Sequence, residues 1–160
     1  MKKNINIEYD YFNSSDELNE MENHLFDLAK SSRLKAYAPY SKFLVGCAIL
    51  LENGEIISGN NQENAAYPSG LCAERTAIFY ASAEFPDVKI KKLFVIGASA
   101  ENIQKAVPTP PCGACRQAIL EYENKQKDDI EIFFANLDGE ICKISSIRSL
   151  LPFSFDSSFL

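Results

Sequence analysis

Two short segments of the sequence carry residue types that can bind a metal ion and move protons. They are Cys72-Ala73-Glu74 and Pro111-Cys112-Gly113-Ala114-Cys115. Zinc prefers thiolate or imidazole ligands in tetrahedral geometry, and a catalytic zinc site has three protein ligands and one position left for water. We therefore predict that Cys72, Cys112 and Cys115 hold one Zn²⁺ per chain and leave a fourth position open for hydrolytic chemistry.

The spacing of these residues supports that prediction. Cys112 and Cys115 lie on the first turn of a predicted helix, where residues three apart have Cβ atoms about 5–6 Å from one another. Helix N-termini favour negative charge and hence the thiolate form, and Cys72 begins another predicted helix. Glu74, two residues beyond Cys72, can face the water without binding the metal, and we predict that it is the catalytic acid and base. A glutamate favoured only by the helix dipole is the structural alternative.

Paired cysteines also occur in redox centres and in structural zinc sites. A redox pair requires neither a third cysteine nor a neighbouring glutamate. A structural site with four cysteines would need Cys47 or Cys142, but both fall in predicted strands, where buried free cysteine is common. The one histidine, His24, belongs to a predicted helix distant in sequence from both motifs, and we do not expect it to be a ligand.

Length and charge narrow the functional classes. The 160 residues suffice for a single domain, and a formal net charge of −6 disfavours charge-driven binding to nucleic acid or to an anionic membrane. No apolar run approaches the roughly 20 residues that a transmembrane helix needs, and no hydrophobic segment follows the basic Met1-Lys2-Lys3 start. We expect a cytoplasmic protein with a small-molecule ligand, in which five cysteines fit a metal site better than disulfides.

Alternating helical and strand patterns predict an α/β domain of three layers. Apolar and polar side chains alternate over residues 5–11, which predicts an edge strand or an ordered arm. Ser14 and Glu17 have the spacing of a capping box, which predicts a long helix from there to about Lys35. Strands are predicted over 43–51, 55–59, 93–98, 130–135 and 140–144, and helices from 72 onward and over 112–122 and 145–151.

The two metal-binding segments, taken with their neighbours, resemble a known family. Cys72-Ala73-Glu74-Arg75 and Pro111-Cys112-Gly113-Ala114-Cys115-Arg116-Gln117 are similar to the motifs of the small, three-cysteine, zinc-dependent cytidine deaminases. The likeness runs from about residue 36 to residue 155. It includes Tyr37-Ala38-Pro39-Tyr40-Ser41-Lys42-Phe43, Asn61-Gln62-Glu63-Asn64-Ala65 and Leu150-Leu151-Pro152.

The resemblance implies an architecture. We expect the protein to be a three-layer α/β/α domain whose mixed sheet has about five strands, and we expect four copies of it to form a homotetramer. Residues 36–155 would then be the catalytic core of a single domain over 1–160. Residues 1–35 would be an N-terminal arm and a long helix.

The resemblance also implies an activity, which is hydrolytic deamination of cytidine and deoxycytidine in pyrimidine salvage. Glu74 would take a proton from water, the resulting hydroxide would attack C4 of the cytosine ring, and Glu74 would protonate N3. The alternative within the superfamily is a deaminase of another nucleoside or of an aminonucleoside antibiotic, although Asn61-x-Glu63 suits a plain ribose or deoxyribose. Nucleic-acid-editing deaminases usually have a histidine ligand. A structural-zinc interaction module would leave Glu74 without a role.

Substrate-binding residues follow from the same resemblance. Asn61 and Glu63 match the pair that holds the ribose hydroxyls, and Phe43 matches the aromatic residue that packs against the pyrimidine. Further matches that complete the substrate site are Ala65, Tyr67 and Ala73. Matches that contribute to a site across a subunit contact are Tyr40 and Phe155. Structural roles stay open for Phe43 in the strand core, Phe155 in a tail on its own subunit, and Asn61 in a loop.

Arg75 has a physical reason of its own to lie near the metal. Zinc with three thiolates carries net negative charge, which works against ionising a bound water. A guanidinium that donates to a ligand sulfur withdraws part of that charge. Gln117, two residues after Cys115, is predicted to donate in the same way, while a surface salt bridge is the structural alternative for Arg75.

Overall fold

The computed structural model describes residues 1–101 and 107–160. Its α-helices are α1 (Glu20–Arg33), α2 (Ala73–Glu84) and α3 (Gly113–Gln126). Its strands are β1 (Asp10–Phe12), β2 (Phe43–Leu51), β3 (Ile56–Asn60), β4 (Ile90–Ser99), β5 (Glu131–Ala135) and β6 (Ile141–Ile144). They form a sheet in the order β1-β6-β5-β4-β2-β3, in which β4 and β5 are parallel and the other neighbours are antiparallel. Across the described ranges, no helix has the length and apolar character needed to cross a membrane.

Helices cover both faces of this sheet. Successive residues of a strand point to opposite faces, and β2 shows the consequence. Ala48 packs in a cluster with Leu25 of α1, whereas Cys47 packs in a second cluster with Ala77 of α2 and Ile119 of α3. The α/β/α layering predicted for the chain is thereby confirmed.

Two glycines allow the helices to approach the sheet closely. A Cβ atom on Gly46 would lie 2.0 Å from the carbonyl oxygen of Ala29 in α1. A Cβ atom on Gly59 would lie 2.7 Å from the carbonyl oxygen of Ala73 in α2. Because these neighbours are backbone atoms, a larger residue would have to push the helix away from the sheet. Gly59 therefore seats the first turn of α2 against the end of β3, just before Asn61.

The predicted start of the first helix is wrong. Ser14 caps a 3₁₀ turn over Ser15–Glu17 rather than an α-helix. Helix α1 begins at Glu20, where Asn19 and Glu22 form a reciprocal capping box. Asparagine is as good an N-cap as serine, so the sequence carries two start signals in close succession and the second one begins the helix.

The described sheet has six strands rather than about five, because residues 10–12 pair with β6 as an edge strand. The alternation over residues 5–11 predicted an edge strand or an arm, and only its last part overlaps the strand. The helix predicted over 145–151 is a 3₁₀ turn over Ile147–Leu150. It leads into the C-terminal tail that contains Phe155.

Candidate active site

The three predicted ligand cysteines lie together in space. Cys72 and Cys112 occupy the N-cap positions of α2 and α3, and Cys115 lies on the first turn of α3. The Sγ atom of Cys112 is 3.7 Å from that of Cys72 and 3.6 Å from that of Cys115. All three sulfurs lie within 4.8 Å of one another, and in the described residues they form the one group of three or more potential metal ligands. Two helix N-termini thus present three sulfurs to one point.

The electrostatics of this cluster fit a divalent cation. Hydrogen bonding from Cys115, with further donation from Arg75 and Cys112, lowers the pKa of Cys72 to about 5. The same contact with Cys72, together with burial, raises the pKa of Cys115. One thiolate therefore forms readily, and its charge opposes ionisation of the next. Zn²⁺ removes that opposition because it binds thiolates and compensates their charge, so the donor set fits one zinc ion.

The other residues considered as ligands lie elsewhere. Cys47 is fully buried in β2 within the core cluster beneath α2. Cys142 is half-buried in β6, opposite Tyr11 of the edge strand. His24 is exposed on α1, the helix on the opposite face of the sheet from α2 and α3.

Glu74 lies beside the sulfur cluster on the first turn of α2. Only 4% of its surface is exposed, and this burial raises the pKa of its carboxyl group to about 7. The backbone N–H of Glu74 and the neighbouring Cys115 thiol act in the opposite direction, towards a lower pKa, but burial outweighs them. A carboxylate with this pKa populates both its acid and its base form near neutral pH. The arrangement can therefore take up a proton and return it.

Arg75 and Gln117 differ in what they contact. Arg75 Nη2 lies 3.8 Å from Cys72 Sγ and 3.5 Å from the carbonyl oxygen of Gly70, which is the guanidinium-to-sulfur geometry predicted from sequence. Gln117 Nε2 instead donates to the carbonyl oxygen of Phe155 at 2.9 Å. In this structure Gln117 therefore contacts the C-terminal tail where a contact with a ligand sulfur was predicted. Its partner is 38 positions away, a distance that local spacing does not reveal.

A groove of about 360 Å³ opens beside the sulfur cluster, within the size range of small-molecule sites. It brings together several residues selected from the sequence, namely Tyr40, Asn61, Glu63, Tyr67, Cys72 and Arg75. A cavity of about 220 Å³ between the C-terminal ends of α2 and α3 contains none of them. The groove thus brings these residues together beside Cys72, one of the three cysteines of the cluster.

Asn61 and Glu63 also hold the chain that forms this groove. Asn61 Oδ1 accepts a hydrogen bond from Val45 N at 2.8 Å, and its Nδ2 donates to Phe43 O at 2.9 Å. Glu63 Oε2 accepts from the backbone N–H groups of residues 40 and 41. A hydrogen bond from the Ser41 side chain, together with these N–H groups, lowers the pKa of Glu63. These hydrogen bonds could not be predicted from the sequence, because the sequence does not show which segment lies beside residues 61–63.

The aromatic residues predicted around the substrate are partly exposed. Phe43 begins β2 and is 36% exposed, and its Cε1 atom would lie 2.8 Å from a Cβ atom on Gly97. The rings of Tyr40 and Tyr67 are 6.2 Å apart, and both are exposed. Gly97 therefore provides the space that the Phe43 ring occupies.

The remaining predicted residues lie in three different environments. Ala73 is fully buried as the first residue of α2, and Ala65 is exposed in the loop after β3. Phe155 is exposed in the C-terminal tail, where its ring stacks on Phe159 at a centroid distance of 5.4 Å. Their roles in binding substrate or a neighbouring subunit stay predictions.

Sequence reasoning gave no role to Arg116. Its Nε donates to the carbonyl oxygen of Pro111, the residue that precedes Cys112, and its Nη1 donates to the carbonyl oxygen of Leu150. An arginine directly after a ligand cysteine is the sequence signal that points to it.

Comparisons with known proteins agree with this site. Residues 19–127 match the family model described as the cytidine and deoxycytidylate deaminase zinc-binding region. A cytidine deaminase of Sporosarcina psychrophila is 41% identical over 132 residues, which are 82% of this chain and 89% of that protein. A cytidine deaminase of Halalkalibacterium halodurans is 40% identical over 127 residues, 79% of this chain and 88% of that protein. The crystal structure of a cytidine deaminase from Burkholderia pseudomallei matches with a TM-score of 0.72 at 36% identity, covering 86% of this chain and 100% of that chain.

The sheet, its helical layers and the three-cysteine cluster define a zinc-binding protein of the deaminase type. The chain belongs to the cytidine and deoxycytidylate deaminase family. The resemblance recognised from the cysteine motifs is thereby confirmed, and so is the prediction of one zinc ion per chain.

Proposed function

We propose that this protein catalyses the hydrolytic deamination of cytidine and deoxycytidine to uridine and deoxyuridine, with release of ammonia, in pyrimidine salvage. The observation that carries the proposal is the buried Glu74 beside the cluster of Cys72, Cys112 and Cys115, of which Cys72 lines the groove. A structural zinc site has no use for a carboxylate that can change its protonation state near neutral pH. The names of the relatives from Sporosarcina and Halalkalibacterium support the choice of nucleoside.

The chemistry divides between the metal and Glu74. Zinc held by the three cysteines supplies a Lewis acid that lowers the pKa of a water molecule toward neutrality. Glu74 accepts a proton from that water and delivers it to N3 of the cytosine ring while oxygen adds to C4. Glu74 then passes the proton of the hydroxyl group added at C4 to the amino group, the C4–N bond breaks and ammonia leaves. Both protons of the consumed water are thereby placed and the carboxylate is regenerated. A pKa of about 7 suits Glu74 to both transfers.

Other side chains would bind and orient the nucleoside. Asn61 and Glu63 hold the ribose hydroxyls, and their backbone contacts fix them in place before substrate arrives. Phe43 packs against the pyrimidine, and Arg75 withdraws charge from Cys72 Sγ. Positions that complete the binding surface are Ala65, Tyr67 and Ala73.

We also propose that the protein acts as a homotetramer in the cytoplasm, where reducing conditions keep the cysteines available to the metal. Tyr40 and Phe155 are 51% and 60% exposed, and exposed aromatic surface is typical of subunit contacts. These two residues would complete a site across such a contact. The chain would act as one domain, with 36–155 as the catalytic core and 1–35 as the arm and first helix.

The proposal is tested by mixing purified protein of known zinc content with cytidine or deoxycytidine and following the absorbance change from cytosine to uracil. We expect turnover of both nucleosides, and we expect it to stop after zinc is removed with a chelator and to return when zinc is added. Protein with about one zinc per chain and no turnover of either nucleoside would contradict the proposal.

A further inference from the structure

Arg116 lies directly after the ligand Cys115, yet its guanidinium contacts backbone rather than sulfur. Its Nε donates to Pro111 O at 2.8 Å and its Nη1 donates to Leu150 O at 3.0 Å. Pro111 immediately precedes the ligand Cys112, and Leu150 ends the 3₁₀ turn that leads into the C-terminal tail. One side chain therefore connects the ligand-bearing segment to the C-terminal part of the chain.

The segment before Cys112 has little other support. Residues 107–112 form no regular secondary structure, and the prolines at 108, 110 and 111 have no N–H group to donate. Thr109 joins the segment to two strands, because its backbone N donates to Ala135 O of β5 at 3.2 Å and its Oγ1 donates to Gly97 O of β4 at 3.0 Å. Both hydrogen bonds hold the segment at Thr109, three residues before the ligand Cys112. Closer to the ligand, Arg116 Nε donates to the carbonyl oxygen of Pro111, and the carbonyl oxygen of Cys112 accepts the backbone N–H of Arg116 at 2.9 Å.

The guanidinium is well suited to this contact. Its planar fork presents several N–H donors in fixed directions, so it can hold two carbonyl groups at a set separation. A charged donor also forms a stronger hydrogen bond than a neutral one. The acceptor of this bond is the carbonyl oxygen of Pro111, which is a buried residue. The position of Cys112 matters because its Sγ lies 3.7 Å and 3.6 Å from the other two ligand sulfurs.

We propose that Arg116 is a positioning residue of the metal centre. By holding Pro111 O and Leu150 O together, its guanidinium fixes Cys112 where it completes the zinc site. The inference rests on the assignment of the three cysteines as zinc ligands, and it gives Arg116 no contact with substrate. Groups that orient metal ligands typically change metal affinity by 10–100-fold. We therefore expect Arg116→Gln to release zinc about 10-fold faster than the wild type.

The test measures zinc release from the zinc-loaded, full-length protein into excess colour-forming chelator. Arg116→Gln removes the charge and the fork, and Arg116→Lys keeps the charge but donates as a point charge rather than a fork. The matched control is Arg148→Gln. Arg148 belongs to the same 3₁₀ turn as Leu150, but its guanidinium contacts Asn124 and Asp156 and not the ligand segment.

The expected order of release is fastest for Arg116→Gln, intermediate for Arg116→Lys, and slow for Arg148→Gln and the wild type. Melting temperatures of the zinc-free proteins should fall no further for Arg116→Lys than for Arg148→Gln. If Arg116→Gln does not fold, Arg116→Lys carries the test. Wild-type release rates in the Arg116 variants would overturn the proposal, and so would equally fast release from Arg148→Gln. A wild-type protein that binds no zinc would overturn the ligand assignment and this inference with it, whereas bound zinc without turnover would contradict only the proposed function.

Discussion

Two buried glutamates lie in the helical layer formed by α2 and α3, and their surroundings differ. Glu74 is 4% exposed and Glu123 is 3% exposed, and burial raises the carboxyl pKa of each. Glu123 accepts hydrogen bonds from the backbone N–H groups of Ile130 and Ile147 and from the Ser146 hydroxyl. The oxygens of Glu74 interact with the Cys115 thiol and with its own backbone N–H. The Glu123 carboxylate is thus enclosed by hydrogen-bond donors of the fold, whereas the Glu74 carboxylate lies beside the metal-binding cysteines.

The difference shows that burial and a raised pKa do not identify a catalytic carboxylate. Glu123 joins the end of α3 to the start of β5 and to the 3₁₀ turn near the C-terminus, so its donors are part of the fold. Glu74 lies beside the three-cysteine cluster, and under the proposed function it exchanges protons with the substrate. The partners of the carboxylate, rather than its burial, separate the two roles, and the following substitutions test that separation.

Replacing Glu74 with glutamine should produce the largest effect. The amide keeps the size of the side chain but cannot take up or return a proton, and general acid–base catalysis contributes about 10²–10⁴-fold. We expect turnover of cytidine to fall by about 10⁴-fold, while zinc content and melting temperature stay at wild-type values. Glu123→Gln is the matched control and should retain most activity. Glu74→Gln protein with activity within tenfold of the wild type would remove Glu74 from its proposed role.

Replacing Glu123 should affect stability instead of chemistry. Glu123→Leu leaves the N–H groups of Ile130 and Ile147 without their acceptor, and a buried unsatisfied group costs about 1–3 kcal/mol. We expect the free energy of unfolding to fall by about 3 kcal/mol, measured in urea at fixed protein concentration. Glu123→Gln keeps an oxygen acceptor for both N–H groups and should be far less destabilised. Equal stability of the leucine and glutamine variants would show that these hydrogen bonds contribute little.

Asn61 has both a groove-facing position and hydrogen bonds within the fold. It lines the groove, and its side chain is hydrogen-bonded to the backbone of Val45 and Phe43. Asn61→Ala removes both backbone contacts and the proposed ribose contact, so we expect kcat/KM to fall about 30-fold, corresponding to about 2 kcal/mol. Asn53→Ala is the control, since Asn53 makes a similar contact with Glu55 N in the hairpin turn. Steady-state kinetics should leave that control near the wild type. A similar loss of kcat/KM in both variants would contradict a specific role for Asn61.

The smallest effect concerns the pH dependence of stability. Burial raises the pKa of Glu123 above its value in the unfolded chain. The stability that Glu123 gains from this pKa difference is therefore fully present below the pKa of glutamate in the unfolded chain, about 4.3, and is lost as the pH rises through its pKa in the folded protein. Glu123→Gln has no such titration, so the stability of wild type relative to this variant should decrease as pH rises from about 4 toward neutrality. Urea unfolding of both proteins across this range measures the trend, and a constant difference would contradict it.

The parts of the site that depend on local spacing were predictable from the sequence. Cys112 and Cys115 are three residues apart on one helical turn, so helix geometry brings their side chains close, and Glu74 lies two residues beyond Cys72 at the start of α2. The order of helices and strands and the α/β/α layers also followed from local patterns. Each of these features depends on neighbours along the chain.

The parts that depend on tertiary neighbours were not predictable. Gln117 contacts the tail at Phe155, and Asn61 braces the start of β2, because the fold brings distant segments beside them. The predicted start of α1 is wrong because Ser14 and Asn19 are both good caps, and the α-helix begins after the second. The extra strand β1 depends on pairing with β6, which lies more than a hundred residues further along the chain.

In the proposed reaction, Glu74 moves protons while an oxygen atom from solvent replaces the amino group of cytidine. The most direct measurement is turnover in water enriched in heavy oxygen, with the nucleoside product analysed by mass spectrometry for the wild type and for Glu74→Gln. We expect wild-type protein to form uridine carrying one heavy oxygen from solvent, and we expect Glu74→Gln, at the same zinc content, to form almost none. Unlabelled uridine from the wild type would rule out hydrolysis by solvent water, and labelled uridine formed at an undiminished rate by Glu74→Gln would rule out proton transfer by Glu74.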